Sequence, residues 1–92
     1  MKINIEKKVI ERKEKAMSLL ETFQDRLPER DFENIKILIE AGEEPMAVED
    51  LCTQLYEWKC KCSEEELRKV EDVAEEFSVA RDFVVWVAKL VC

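Results

Sequence analysis

Four cysteines and an excess of carboxylates are the side chains of this 92-residue chain that could support chemistry. The chain contains no histidine, so it lacks the commonest general base and cannot form a Ser-His or Cys-His pair. Its single glycine excludes a glycine-rich loop around a phosphate group. We therefore expect no enzyme activity, no catalytic residue and no cofactor.

The cysteines form one candidate metal site. Cys60 and Cys62 are a C-x-C pair that Cys52 and Cys92 could complete to a tetrahedral zinc site. Three features oppose it: no C-x-x-C spacing is present, Cys52 falls on an apolar helical stripe, and Cys60 and Cys62 alternate with lysines. We predict that the cysteines bind no metal. In a reducing compartment they are expected to be free thiols that pack as small apolar residues.

The composition predicts an all-α protein. Charged residues make up 40% of the chain, and one glycine and two prolines leave little material for the turns of a β protein. A chain of this length forms one domain. We predict a small single-domain antiparallel bundle of four to five helices over residues 1–92, in which residues 1–15 project or fray because they contain few apolar side chains.

Apolar residues at three- and four-residue spacing predict a first helix over Ile5 to Leu27, ended by Pro28. Pro28 would also start the second helix, which runs to about Ala41 before a Gly42 cap and leaves Ile37 on its outer side. The residues predicted to face the core from these two helices are Ile5, Val9, Ala16 or Met17, Leu20, Phe23, Leu27, Phe32, Ile35, Leu38 and Ile39.

A third helix is predicted from Glu44 and Pro45, and a fourth from the capping box of Ser63 and Glu66. Ser78 is expected to end the fourth helix and to cap a last helix. That last segment, Val79 to Cys92, is apolar around most of its circumference, so we expect it to be the most buried element. The remaining predicted core residues are Val48, Leu51, Cys52, Leu55, Trp58, Leu67, Val70, Val73, Ala74 and Phe77.

The acidic residues suggest a binding surface. The net charge of −7 repels phosphate backbones, so we expect no direct binding to nucleic acid and none to an anionic membrane. A basic protein partner fits better, although negative charge can also serve solubility alone. The candidate partner-binding residues lie opposite the apolar arc of the third helix, at its start and at its border: Glu43, Glu44, Glu49, Asp50, Gln54, Tyr56 and Glu57.

No signal peptide and no membrane-spanning run is evident, which predicts a cytoplasmic protein. The stretch from Leu19 to Ser63 carries three motifs: L-P-E-x-D at Leu27 to Asp31, I-x-x-L-I-E-x-G-E at Ile35 to Glu43, and A-V-E-D-L-C-T-Q-L-Y-E at Ala47 to Glu57. In these motifs the chain resembles the MafI-type immunity proteins of bacterial polymorphic toxin and contact-dependent inhibition systems.

This resemblance implies a cytoplasmic antidote that binds the C-terminal domain of a cognate toxin. Such toxins are often nucleases, and an EndoU-like ribonuclease is favoured here. Carboxylates in place of phosphates would suit a basic nuclease active site. We expect a monomer, with a homodimer possible. The alternative is a small self-associating helical scaffold or regulatory module without a toxin partner, and the alternative binding surface is the acidic face of the fourth helix, Glu64 to Glu76.

Overall fold

Helix-forming segments and the turns that end them determine the architecture. The computed structural model describes residues 2–91, and the side chains of residues 6–91. The predictions for Cys92 and for the side chain of Ile5 lie outside these residues. The described chain contains five α-helices, which confirms the predicted all-α bundle: α1 (Lys2–Thr22), α2 (Glu29–Glu40), α3 (Glu44–Glu57), α4 (Glu64–Glu76) and α5 (Arg81–Ala88).

Contacts between helices show how they are arranged. Lys13 near the middle of α1 donates to the carbonyl of Glu40 at the end of α2, so these two helices run in opposite directions. The end of α3 returns to the start of α2, where Trp58 contacts Asp31. The fourth helix is also antiparallel to α1. The last helix packs mainly on α3 and α4.

The core lies where these helices meet and follows the predicted stripes, except that Val9 and Trp58, which were predicted to face it, are exposed. Its largest fully buried side chains are Phe23, Leu20, Ile35, Ile39, Leu51, Leu55, Val70, Val87 and Cys52. Cys60 and Cys62 are buried as well, which confirms that Cys52, Cys60 and Cys62 act as packing residues. Ile37 is exposed, as predicted.

Helix α1 ends earlier than the apolar pattern predicted. It stops at Thr22 and is followed by one 3-10 turn, Gln24–Arg26, before extended backbone at Leu27. Pro28 then caps α2 from outside the helix. Phe23 and Leu27 are still buried, so the periodicity identified the core residues correctly but placed the helix end five residues too late.

Three helices end in the same way, with a left-handed residue and two backbone bonds that close a Schellman motif. After α2, Gly42 has φ +81°, and its amide donates to Ile39 while the next amide donates to Leu38. Lys59 after α3 and Ser78 after α4 adopt φ values of 48° and 57°. Ser78 therefore terminates α4 but does not cap α5, whose N-cap is Ala80, and the predicted second cap is wrong.

The capping box is confirmed: the Ser63 hydroxyl accepts from the Glu66 amide at 3.1 Å, and Glu66 accepts from the Ser63 amide at 2.9 Å. The prediction that Val79 to Cys92 is the most buried element is wrong. In α5 only Val87 is buried, while Val85 and Trp86 are exposed. The helix has eight residues and packs mainly on α3 and α4, so the side that faces away from them stays exposed.

No helix within residues 2–91 is both long and apolar enough to cross a membrane.

Candidate partner-binding surface

The outward face of α3 gathers most of the residues predicted to bind a partner. Val48, Leu51 and Leu55 of α3 are buried in the core, so the side chains on the opposite arc point away from it. Glu57 and Tyr56 on this arc are exposed. The half-buried members are Glu49, Asp50 and Gln54.

Glu43 and Glu44, at the start of α3, differ sharply in their burial. Glu43 is exposed at the N-cap position of α3. Glu44 is only 4% exposed and lies 3.5 Å from the Arg12 guanidinium of α1. Arg12 also lies over the Phe77 ring, 4.7 Å from its centroid, so it joins α1 to both α3 and the end of α4. Glu44 is thus a structural residue, and its assignment to the binding surface needs correction.

An aromatic cluster continues the α3 face onto α5. The Tyr56 and Trp86 rings lie 5.9 Å apart at 30°, and Phe83 meets Trp86 edge to face at 5.4 Å. Trp86 remains 37% exposed. The Lys59 ammonium lies over the Tyr56 ring at 5.8 Å. Aromatic rings such as these are typical of the anchor positions of protein interfaces.

Trp58 lies at the other edge of the same face. It was predicted in the buried stripe, but it is 55% exposed because it is the C-cap of α3, where the helical repeat stops. Its indole nitrogen donates to the Asp31 carboxylate at 2.8 Å. The bond holds the ring against the start of α2 and leaves part of it open. We define the acidic aromatic surface as Glu49, Asp50, Gln54, Tyr56, Glu57, Trp58 and Trp86.

Electrostatics within this surface favour an incoming cation. Partial burial raises the pKa of Asp50, and the nearby negative charge of Asp31 raises it further. Both effects make the ionised form of Asp50 less stable than in water. A positive side chain placed beside it would relieve the repulsion, so this position gains from a basic partner more than a fully solvated carboxylate would.

The buried cysteines have the properties of packing residues and not those of nucleophiles. Burial raises the pKa of Cys52 to about 12 and also raises that of Cys60. The Cys60 thiol donates to the Arg26 carbonyl at 3.2 Å. In the described part of the chain no three Cys, Asp or Glu side chains are grouped so that they could hold a metal ion.

Sequence reasoning missed Trp86 as a surface residue. It falls in a segment that is apolar around most of its circumference, so periodicity could not indicate which side the other helices would leave uncovered. Trp58 was misplaced because a helical repeat was extended one residue beyond the helix. The outward placement of Glu49, Asp50 and Glu57 could be predicted because the opposite arc of α3 is strongly apolar.

No protein-family model, curated protein or solved structure matches this chain.

Proposed function

We propose that this protein is a cytoplasmic immunity protein that neutralises a cognate bacterial toxin domain by binding it through the acidic aromatic surface. The observation that carries the proposal is the combination of Glu49, Asp50 and Glu57 with the partly exposed rings of Tyr56, Trp58 and Trp86. Carboxylates steer a basic partner and aromatic rings hold it, and both are present on one face.

The proposed partner is a basic nuclease domain, with an EndoU-like ribonuclease favoured by the resemblance. A nuclease needs positive charge around its active site to hold a polyanion. An inhibitor that presents carboxylates to this charge competes with the substrate, and it needs no catalytic group of its own. We propose no enzyme activity for this protein and direct contact with neither nucleic acid nor membrane.

If the proposal is correct, a toxin gene is expected beside the gene of this protein, and co-expression with that toxin tests the function. We expect the chain to restore growth and to co-elute with the toxin domain on size exclusion. Loss of protection is expected for the triple variant Glu49→Lys, Asp50→Lys, Glu57→Lys. The matched control is Glu64→Lys, Glu65→Lys, Glu71→Lys, which makes the same change of charge at exposed positions of α4.

Three outcomes contradict parts of the proposal. Growth arrest despite expression of the folded wild-type chain, with no complex, rules out the immunity function for that toxin. Protection by the α3 triple variant, together with loss of protection by the α4 control, moves the interface to the face of Glu64 to Glu76. Loss of protection by both variants would indicate that net charge matters more than a defined surface.

A further inference from the structure

The start of α2 and the outward face of α3 bring two carboxylates near each other. Asp31 lies in the first turn of α2, and Asp50 lies on α3. Both side chains are half-buried, and the negative charge of Asp31 acts on Asp50. Asp31 also accepts a hydrogen bond from the indole nitrogen of Trp58 at 2.8 Å. Asp31 thus interacts with an acidic residue and with an aromatic ring that follow one another on the same helix face.

Helical spacing adds a third polar side chain to this pair. Asp50, Gln54 and Trp58 are four residues apart, so each lies about 40° around and about 6 Å along the helix from the one before. The Trp58 amide still donates to the Gln54 carbonyl at 3.0 Å, so helical spacing holds as far as Trp58. Gln54 is half-buried, and Trp58 is 55% exposed. We call Asp31, Asp50, Gln54 and Trp58 the α2–α3 site.

No cation of the described chain pairs with the two carboxylates. The ion pairs among the described residues are Arg12–Glu44, Lys15–Glu76, Arg26–Asp25 and Arg26–Glu66. The side chains of Asp50 and Gln54 also form no hydrogen bond with another described residue. Partial burial and then the charge of Asp31 raise the pKa of Asp50. A positive group from another molecule would therefore stabilise both ionised carboxylates.

Arginine matches the α2–α3 site better than lysine does. The acceptors come from two helices and comprise two carboxylates and the side-chain oxygen of Gln54. A guanidinium group is planar, has five N–H donors in a fixed arrangement and stacks on aromatic rings. The partly open ring of Trp58 offers a stacking surface beside Asp31. An ammonium group is a compact point charge that can use fewer of these groups at once.

We propose that the α2–α3 site holds an arginine side chain of the toxin domain. This inference rests on the proposed immunity function and extends its surface from α3 onto α2 through Asp31. A nuclease domain is expected to present arginines, because their guanidinium groups bind the phosphates of its substrate in a two-pronged way. The bound guanidinium donates to the two carboxylates and to Gln54, and it stacks on the ring of Trp58.

Two small probes test the site without any toxin. N-acetyl-arginine amide and N-acetyl-lysine amide carry the same charge and differ in the cationic group. In NMR titrations, the indole N–H signals of Trp58 and Trp86, the two tryptophans of the chain, report on two regions of the surface. We expect the arginine probe to shift the Trp58 signal along a saturable curve, with a dissociation constant at least roughly threefold lower than that of the lysine probe. The Trp86 signal should shift less.

Neutral variants of the carboxylates identify the acceptors. Asp31→Asn removes the charge but keeps an oxygen that can accept the bond from Trp58, so the ring should stay in place. Asp31→Asn and Asp50→Asn should each weaken binding of the arginine probe at least roughly threefold. The matched control is Asp72→Asn, at an exposed position of α4, which should leave binding unchanged. Amide spectra that are unchanged away from the site show that each variant is folded.

Three results of these titrations overturn the proposal. The first is equal affinity for the arginine and lysine probes. The second is unchanged binding of the arginine probe in both Asp31→Asn and Asp50→Asn. The third is a larger shift of the Trp86 signal than of the Trp58 signal.

Surface plasmon resonance with the toxin domain tests whether the partner uses the site. Asp31→Asn should raise the dissociation rate at least roughly tenfold, whereas Asp72→Asn should not change it. Toxin binding that Asp31→Asn leaves unchanged overturns the role of the site in the complex, while the immunity function stands. Failure of the wild-type chain to bind the toxin, with the expected probe results, contradicts the proposed function and leaves an arginine-binding site without that partner.

Discussion

Arg26 and Glu66 form a two-pronged ion pair between the 3-10 turn and α4, with Nη1 to Oε1 at 2.8 Å and Nη2 to Oε2 at 2.6 Å. Arg26 also donates to the carbonyls of Thr22 and Lys61. Its guanidinium lies over the Phe23 ring at 4.9 Å. The Arg26 side chain thus connects the end of α1, the loop after α3 and the start of α4. Two-pronged geometry of this kind is specific to arginine.

Replacement of Glu66 by Gln should make the free energy of unfolding depend less on pH in the acid range. The bond from Arg26 lowers the pKa of Glu66 from 4.5 to about 2. Because the folded value lies below the unfolded one, the stabilisation is complete above pH 4.5 and is lost as the pH falls toward 2. We expect Glu66→Gln, which keeps a capping box, to cost about 2 kcal/mol at pH 7 and little at pH 2.

Urea unfolding at several pH values measures this difference. Glu76→Gln is the control, because Glu76 pairs with Lys15 in a much more exposed setting and should cost less than about 1 kcal/mol. An equal loss at pH 7 and pH 2 would show that the ionic contact is not the source of the stability.

Ser78→Gly should stabilise the protein by about 0.5 to 1 kcal/mol, and Gly42→Ala should destabilise it by a similar amount. Both positions have a left-handed backbone at the end of a helix, where glycine avoids strain. A Cβ at Gly42 would meet no atom within 4 Å, so its cost is purely conformational. Thermal unfolding measures both changes. No gain from Ser78→Gly would mean that the strain at Ser78 is compensated in a way that glycine cannot improve.

Much of the fold could be predicted from sequence because it depends on local rules. The periodicity of α2, α3 and α4 identified their buried faces, and the capping box placed the start of α4. The errors have one physical origin. Helix ends such as Thr22 and Trp58, and the exposed side of α5, depend on which other helices lie nearby, and no local pattern contains that information.

The candidate surface could also be predicted only where it depends on a local pattern. Glu49, Asp50 and Glu57 follow from being opposite an apolar arc. Glu44 could not be separated from Glu43, since its ion-pair partner Arg12 is 32 residues earlier in the sequence. The aromatic part of the surface required knowledge of how α5 packs on α3.

Glu43 and Glu44 form a matched pair for testing this correction. Glu44→Lys places a positive charge in a buried position beside Arg12, so we expect a loss of about 3 kcal/mol. Glu43→Lys makes the same change at an exposed position and should cost less than about 0.5 kcal/mol. Chemical denaturation compares the two. Equal losses would contradict the structural role of Glu44.

Cys52 should behave as a packing residue. Cys52→Ala removes one buried atom and should cost about 1 kcal/mol, whereas Cys52→Ser should cost more because its hydroxyl would lie in an apolar core. In the native protein we expect Cys52 to resist thiol reagents at pH 8, since burial holds its pKa near 12. Mass spectrometry after labelling in a Cys92→Ser background measures its modification. Rapid native labelling would show that the site opens far more often than its burial suggests.

The carboxylates and the rings of the acidic aromatic surface should affect partner binding differently. Reversal of charge at Glu49, Asp50 and Glu57 should slow association with the basic toxin domain and reduce its salt dependence, because charges of this kind act mainly by steering the encounter. Tyr56→Ala or Trp86→Ala should instead raise the dissociation rate, with about 2 kcal/mol of binding free energy lost at an anchor residue.

Surface plasmon resonance over a range of salt concentrations separates these rates. Ile37→Ala is the apolar control, because Ile37 is exposed on α2. Circular dichroism of each variant checks that the rings were not needed for folding. Unchanged dissociation for both ring variants would place the anchor elsewhere. The open edge of Trp58 would then be the next position to test, using Trp58→Phe, which removes its bond to Asp31 but keeps an aromatic ring.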